Sequence, residues 1–182
     1  MPIVRAAALL VFGVLSLSGP ALSASTSDAT LARLSRFDGR AFDVAFMQAL
    51  IPIDDEAVEI AMTATLYADH AELLRWNQSF VEREKGQVRQ MLAWLQDMGS
   101  KPAERNEGVA TAPVKKMRAL RGAALERAYL PLMASHLDQS VALARLAVKR
   151  ASQPALRSFA QEIVRVETQE ATTLRGWLKT WQ

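Results

Sequence analysis

Residues 41–98 and 124–181 align without a gap at an offset of 83, with 13 identities over 58 positions. Trp94-Leu95 answers Trp177-Leu178, Glu84 answers Glu167, Val58 answers Val141, and Ala61 and Ala64 answer Ala144 and Ala147. Many of the differences keep their character: Phe46 with Tyr129, Leu50 with Met133, Trp76 with Phe159, Met91 with Leu174. Agreement at apolar positions without a gap is what reuse of one supersecondary unit produces, so the chain reads as one helical module used twice.

Within each copy the apolar residues recur at three and four. Phe42, Phe46, Leu50, Ile53, Ala57 and Ile60 make one face, and Leu73, Trp76, Phe80, Met91 and Trp94 the next. The second copy runs Leu125, Tyr129, Met133, His136, Leu143, Ala147 and, after Pro154, Leu156, Phe159, Ile163, Val166, Leu174, Trp177. Strict alternation is absent, which argues against strands. Pro52 removes a backbone donor and is expected to kink or split the first helix near Ile51. Residues 99–123, with prolines, glycines and mixed charge, read as a connector. Its length suits a long crossing between two hairpins better than an up-and-down bundle with short loops. The expected fold is all-α, a ferritin-like four-helix bundle in which each hairpin covers the other's apolar stripe.

Arg5 followed by the apolar run Ala6–Leu17 and then Pro20-Ala21-Leu22-Ser23 reads as a secretory signal peptide over residues 1–23, cleaved before Ala24. The run falls short of the ~20 residues a membrane span needs. Residues 24–182 would then form a single domain in the periplasm or outside the cell, with repeat one at 41–98, connector at 99–123 and repeat two at 124–181. With no cysteine there is neither a disulfide nor a thiol to acylate. The domain must be held by its core, for which 50% apolar composition supplies the material. A formal charge of +3, with its one local cluster at Lys115, Lys116, Arg118 and Arg121, points to a solvated linker, not to a nucleic-acid surface.

The polar residues on the apolar stripes are the candidates for chemistry. Met133 and His136 stand three apart on one helix, and Glu167 and Glu170 three apart on another. Together they can bring a thioether, an imidazole and two carboxylates to the middle of the second hairpin. His with Met suits copper, and His with carboxylates suits copper(II) or zinc. The competing reading is a buried histidine hydrogen-bonded across the bundle to Glu167 or Glu170. A di-iron centre would need Glu-x-x-His pairs, which the chain lacks. In the first hairpin Ile53 stands where His136 would be, Glu84 remains and Gln87 replaces the second carboxylate, so Asp54 and Glu84 are weaker candidates. His70, just after Asp69, is read as a surface or capping residue. Ser135 and Ser140 flank His136 at helical spacing and read as packing, and with no phosphate loop the chain is expected not to be an enzyme.

The segment Phe42-Asp43-x-x-Phe46-Met47-x-x-Leu50-Ile51-Pro52-Ile53-Asp54-x-x-Ala57 and the later Glu84-x-x-Gln87-Val88-x-x-Met91-x-x-Trp94-Leu95 resemble the DUF305 family. Its members show F-D-x-x-F-x-x-x-M-I-P-H-H-x-x-A and then Q-x-x-E-I-x-x-M-x-x-W-L. The second half resembles it through Leu125-Glu126-x-x-Tyr129, Met133-Ala134-Ser135-His136-Leu137 and Glu167-x-x-Glu170-Ala171-x-x-Leu174-x-x-Trp177-Leu178. The resemblance implies an exported ferritin-like bundle and, from some members, copper binding in the periplasm. The family's His-His pair falls on Ile53-Asp54 and on His136-Leu137, so three of its four histidines are replaced. Two readings follow: a non-enzymatic periplasmic protein with a residual transition-metal site at His136, or a structural or protein-interaction module that has lost the metal. A homo-oligomer or a periplasmic protein is the partner expected of either.

Overall fold

The computed structural model describes residues 21–103 and 110–181. The expected leader lies outside the described residues up to position 20; its last three positions open the first helix. The chain forms α1 (Ala21–Leu34), α2 (Gly39–Tyr67), α3 (Ala71–Asp97), α4 (Ala112–Arg118), α5 (Gly122–Arg150) and α6 (Pro154–Thr180). The all-α expectation holds, and the described residues contain no strand. Shifting the bounds of α2 and α3 by 83 gives those of α5 and α6.

Two short helices add to the four expected. In α4, Pro113 pre-sets the first turn and Val114 and Met117, three apart, are buried in the core. A seven-residue helix is too short to show as periodicity in a segment read as connector. In α1 the side chains of Leu31 and Leu34 pack against the same core as Phe42 and Phe46. The long helices α2 and α5 each open on a glycine with positive φ, Gly39 at 56° and Gly122 at 52°. That backbone conformation favours glycine, and the match carries the correspondence two residues upstream of the aligned segments.

Pro52 neither ends nor splits α2, which runs unbroken from Gly39 to Tyr67, and α5 likewise contains Pro131. One missing donor is tolerated because buried Leu50 and Ile51 anchor the helix on the near side and Ala57, Ile60 and Ala61 on the far side.

α2 and α5 cross at the centre and run antiparallel. Arg150 at the end of α5 bonds Asp38 before α2, and Arg121 before α5 lies over the ring of Tyr67 at the end of α2. α3 and α6 flank this pair and meet through side chains, with Trp94 edge-on to Phe159 at 5.4 Å and Arg83 paired with Glu170.

The core is two apolar clusters. One gathers Phe42, Phe46, Leu50, Met91, Leu95 and Ile163; the other gathers Ile60, Leu73, Phe80, Tyr129, Met133 and Leu174. Each long helix passes from one cluster to the other through a buried polar residue: Asp54 on α2, Glu84 on α3, Ser140 on α5 and Glu167 on α6. A polar layer therefore divides the bundle across its middle.

Candidate functional site: a buried carboxylate layer and His136

The middle layer places three carboxyl groups out of water. Asp54, Glu84 and Glu167 are each 1–2% exposed. Arg83, on α3, reaches across to α6 and grips Glu170 with both terminal nitrogens, Nη1 to Oε1 at 2.5 Å and Nη2 to Oε2 at 2.7 Å. The same guanidinium donates to Glu84 Oε1, from Nη2 at 2.9 Å and from Nε at 3.2 Å. Arg is suited to this because its planar fork serves two carboxylates at once. Glu167 is hydrogen-bonded by the Ser140 side chain. Asp54 Oδ2, Glu167 Oε2 and Gln87 Oε1 are buried without a hydrogen-bond partner.

Burial sets the protonation of this layer. Desolvation pushes the Asp54 carboxyl well above the ordinary range, and the neighbouring Glu84 and Glu167 push it further. Glu167 is raised for the same reasons, desolvation first and then Glu84. Glu84 is raised by desolvation to about 7, the Arg83 charge and hydrogen bonds holding it back from a larger rise. Glu170 is raised by burial against the pull of Arg83. One guanidinium cannot neutralise four carboxylates in a poorly solvated layer, so protons take the remainder. A neutral carboxyl also tolerates an unpartnered buried oxygen better than a carboxylate does.

His136 belongs to a different contact. Its ring is almost buried, with Nε2 3.3 Å from Glu56 Oε2 on α2 and Nδ1 without a hydrogen-bond partner. The bond to His136 holds the Glu56 carboxyl below its ordinary range, aided by a hydrogen bond from Thr111 at the entry to α4. The cross-bundle partner of His136 is thus Glu56, where sequence reasoning expected Glu167 or Glu170. The crossing of α2 over α5 brings Glu56 to His136, while Glu170 is held by Arg83 and Glu167 is bonded by Ser140. Met133 is wholly buried in the second apolar cluster beside Tyr129 and Leu174.

Of the six candidate ligands, the structure gathers Asp54, Glu84, Glu167 and Glu170 around Arg83, and leaves Met133 in the apolar cluster and His136 on Glu56. Among the described residues no group of three or more His, Asp and Glu side chains is placed to hold a metal ion. The donor chemistry of the layer does not fit a soft ion, because its oxygens are hard and a guanidinium already supplies the positive charge. His136 with Glu56 is the pair left for a borderline ion such as copper(II) or zinc.

His70 is the residue before α3 but makes no side-chain cap there, and its ring is engaged elsewhere. Nδ1 lies 2.7 Å from Glu126 Oε2, and the ring stacks on Trp181 with centroids 4.0 Å apart and planes 2° from parallel. Glu126 Oε1 accepts the backbone N–H groups of Asp69 and His70. Burial alone would raise Glu126, but the bonds from His70 and Asp69 outweigh it and hold the group low. Sequence reasoning missed Arg83, Glu56 and Glu126. Only Glu126 left a signal, an acidic residue answering Asp43 at the repeat offset.

Two helical hairpins crossing through a central polar layer define a class of all-helical bundle. The family described as a domain of unknown function, DUF305, matches residues 18–95 and again 95–178. The chain belongs to that family. Among solved structures the chain is similar to CopM in its Cu(I)-bound form, with a TM-score of 0.68, 18% identity, and coverage of 76% of this chain and 96% of that one. A DUF305 protein from Streptomyces coelicolor gives a TM-score of 0.68 at 23% identity, covering 76% of this chain and 92% of that one. A DUF305 fragment from Deinococcus radiodurans gives 0.68 at 23%, covering 76% and 95%. At these identities the likeness establishes the fold. No match was found among curated proteins. No helix among the described residues is long and apolar enough to cross a membrane.

Proposed function

We propose that this chain is an exported, non-enzymatic helical binding module in which three of the four positions that carry histidine in the family have been given over to packing and to a buried, proton-bearing polar layer. The observation that carries this reading is Arg83 clamped between Glu84 and Glu170. A guanidinium fixed among the carboxylates stands where a cation would need to be, and displacing it would leave a buried charge without its partner. The leader-like residues 1–23 support export to the periplasm or beyond. A binding role suits a bundle whose raised-pKa groups are enclosed, since acid–base chemistry needs those groups within reach of a substrate.

A second reading keeps a metal at His136. The unpartnered Nδ1 favours it, as does the metal-bound state of CopM, which has this fold. His136 and Glu56 would ligate the ion, with Met133, Glu167 and Glu170 reached only by rearrangement, and this donor pair suits a borderline ion, copper(II) or zinc, ahead of copper(I).

Calorimetric titration of residues 24–182 with copper(I), copper(II) and zinc, beside His136→Ala, separates the two. The module reading expects no stoichiometric heat that depends on His136. Saturable one-to-one binding lost in His136→Ala would overturn it in favour of the second.

A further inference from the structure

Residues 24–182 hold six methionines, and five of them are buried: Met47, Met91, Met117 and Met133 are 0% exposed and Met98 is 7% exposed. Met62, on α2, is 49% exposed. The correspondence between the hairpins shows what each position requires, because whatever the fold demands should occur twice. At the offset of 83, Met47, Met91, Met98 and Met133 answer Leu130, Leu174, Trp181 and Leu50, so both copies place a large apolar side chain there. Methionine at such positions is core filler, a flexible apolar chain that adapts to its neighbours. Met62 answers Arg145, which is exposed on α5. The fold therefore calls for no apolar residue at this place and accepts a long polar one.

The two settings permit different chemistry. Oxidation of a thioether requires the oxidant to reach sulfur, so susceptibility follows exposure. The chain has no cysteine, so no thiolate competes for the oxidant. An oxygen added to Met133 or Met47 would be a polar atom inside an apolar cluster, which is costly to bury without a hydrogen-bond donor. An oxygen added to Met62 faces water beside Leu66, which is 73% exposed, at a position where the matched helix already carries a guanidinium. Both the access and the tolerance for a polar product therefore single out Met62.

We infer that Met62 is an oxidation site of the folded protein, converted to the sulfoxide by hydrogen peroxide, and that the change makes the surface around Leu66 more polar while the bundle stays intact. The sulfur lone pair attacks one peroxide oxygen, forming an S–O bond as the O–O bond breaks. Sulfur is oxidised by two electrons and the peroxide is reduced; the displaced hydroxide takes the proton from the transferred oxygen and leaves as water. The product is a polar, reducible group in place of a thioether. Nothing in this chemistry involves a metal or His136, so the metal titration can fail without touching it.

The test exposes residues 24–182 to hydrogen peroxide and follows the added oxygen by mass spectrometry, with the modified residue located by fragment-ion sequencing. Met62 should gain its oxygen at least ~10-fold faster than any of the five buried methionines, which react only as the fold opens. The singly oxidised protein should keep its helical circular dichroism and elute earlier in hydrophobic-interaction chromatography. Treatment with the two stereospecific methionine sulfoxide reductases should restore both mass and elution. Met62→Leu should abolish the fast phase and the change in elution. Arg145→Met should add a second fast phase, because it places a thioether at the matched exposed position. A buried methionine that reacts as fast as Met62 would overturn the inference. So would loss of helicity in step with the first oxygen, or an elution that Met62 oxidation leaves unchanged.

Discussion

Asp43 and Glu126, which correspond at the repeat offset, make the same bonds at opposite ends of the bundle. Asp43 on α2 accepts the backbone N–H groups of Ser152 at 2.8 Å and Gln153 at 3.1 Å, in the turn before α6. Glu126 on α5 accepts those of Asp69 at 2.8 Å and His70 at 2.7 Å, in the turn before α3. Each hairpin's first helix thus satisfies donors at the start of the other hairpin's second helix, donors that no intrahelical carbonyl can reach. Capping is done across the hairpins, which explains why Gln153 and His70, the residues before α6 and α3, show no side-chain cap of their own.

Asp43→Ala and Glu126→Ala should each destabilise the protein by about 1–3 kcal/mol, since each leaves two partly buried amides without a charged acceptor. The two sites lie at opposite ends of α2, about 36 Å apart at 1.5 Å per residue, so their effects should add. Urea denaturation of the single and double variants measures this. Strong non-additivity would mean that the ends communicate through the central layer.

Arg83→Met should destabilise by about 3–5 kcal/mol near pH 8, because it leaves Glu84 and Glu170 buried without their cation. The loss should shrink near pH 5, where the carboxyl groups can take up protons in place of the guanidinium. Chemical denaturation at both pH values tests it, and an equal loss at both would show that Arg83 acts by packing alone.

The carboxyl layer also fixes how stability varies with pH. Asp54, Glu84 and Glu167 hold protons in the folded state that the unfolded chain releases above about pH 4.5. Their contribution is complete below that pH and is lost as pH rises toward the folded value of Glu84, about 7. Glu56 and Glu126, held low by His136 and His70, act in the opposite direction and lose their contribution as pH falls below about 4.5. The melting temperature should therefore peak near pH 5 and fall by at least ~5 °C by pH 8, a shift that a few kcal/mol produces in a domain of this size. Asp54→Asn with Glu167→Gln should flatten the slope between pH 5 and 8. A melting temperature that rises across that interval would rule out buried protonated carboxyls.

How far the sequence discloses this arrangement depends on the range of the interaction. The hairpin helices are local, written in apolar residues three and four apart and punctuated by Pro154, so their extents are legible. The polar layer is partly legible, for Glu84 and Glu167 interrupt apolar stripes at matched positions. Arg83 is not, because an arginine beside a buried glutamate looks like any solvated helix face until the crossing of α3 and α6 is known. The pairing of His136 with Glu56 is set by the way α2 crosses α5, and no periodicity encodes a crossing. Pro52 does not split α2, because its local penalty is outweighed by the burial of Leu50, Ile51 and Ala57 around it.

Whether the two hairpins form one folding unit can be tested at the segment between α3 and α4. Each hairpin depends on the other for the caps at Asp43 and Glu126, for the Arg83–Glu170 pair, and for the contact of Trp94 with Phe159. α2 and α5 also share both apolar clusters, so an isolated hairpin would leave wet the faces that Phe46, Leu50, Tyr129 and Met133 now bury. Fragments 24–103 and 110–182 should therefore have weak helical circular dichroism apart, and should recover it and co-elute as a one-to-one complex on size exclusion when mixed. Two fragments that each melt cooperatively as monomers would show that the hairpins are separate domains and that the cross-hairpin bonds are secondary to their stability.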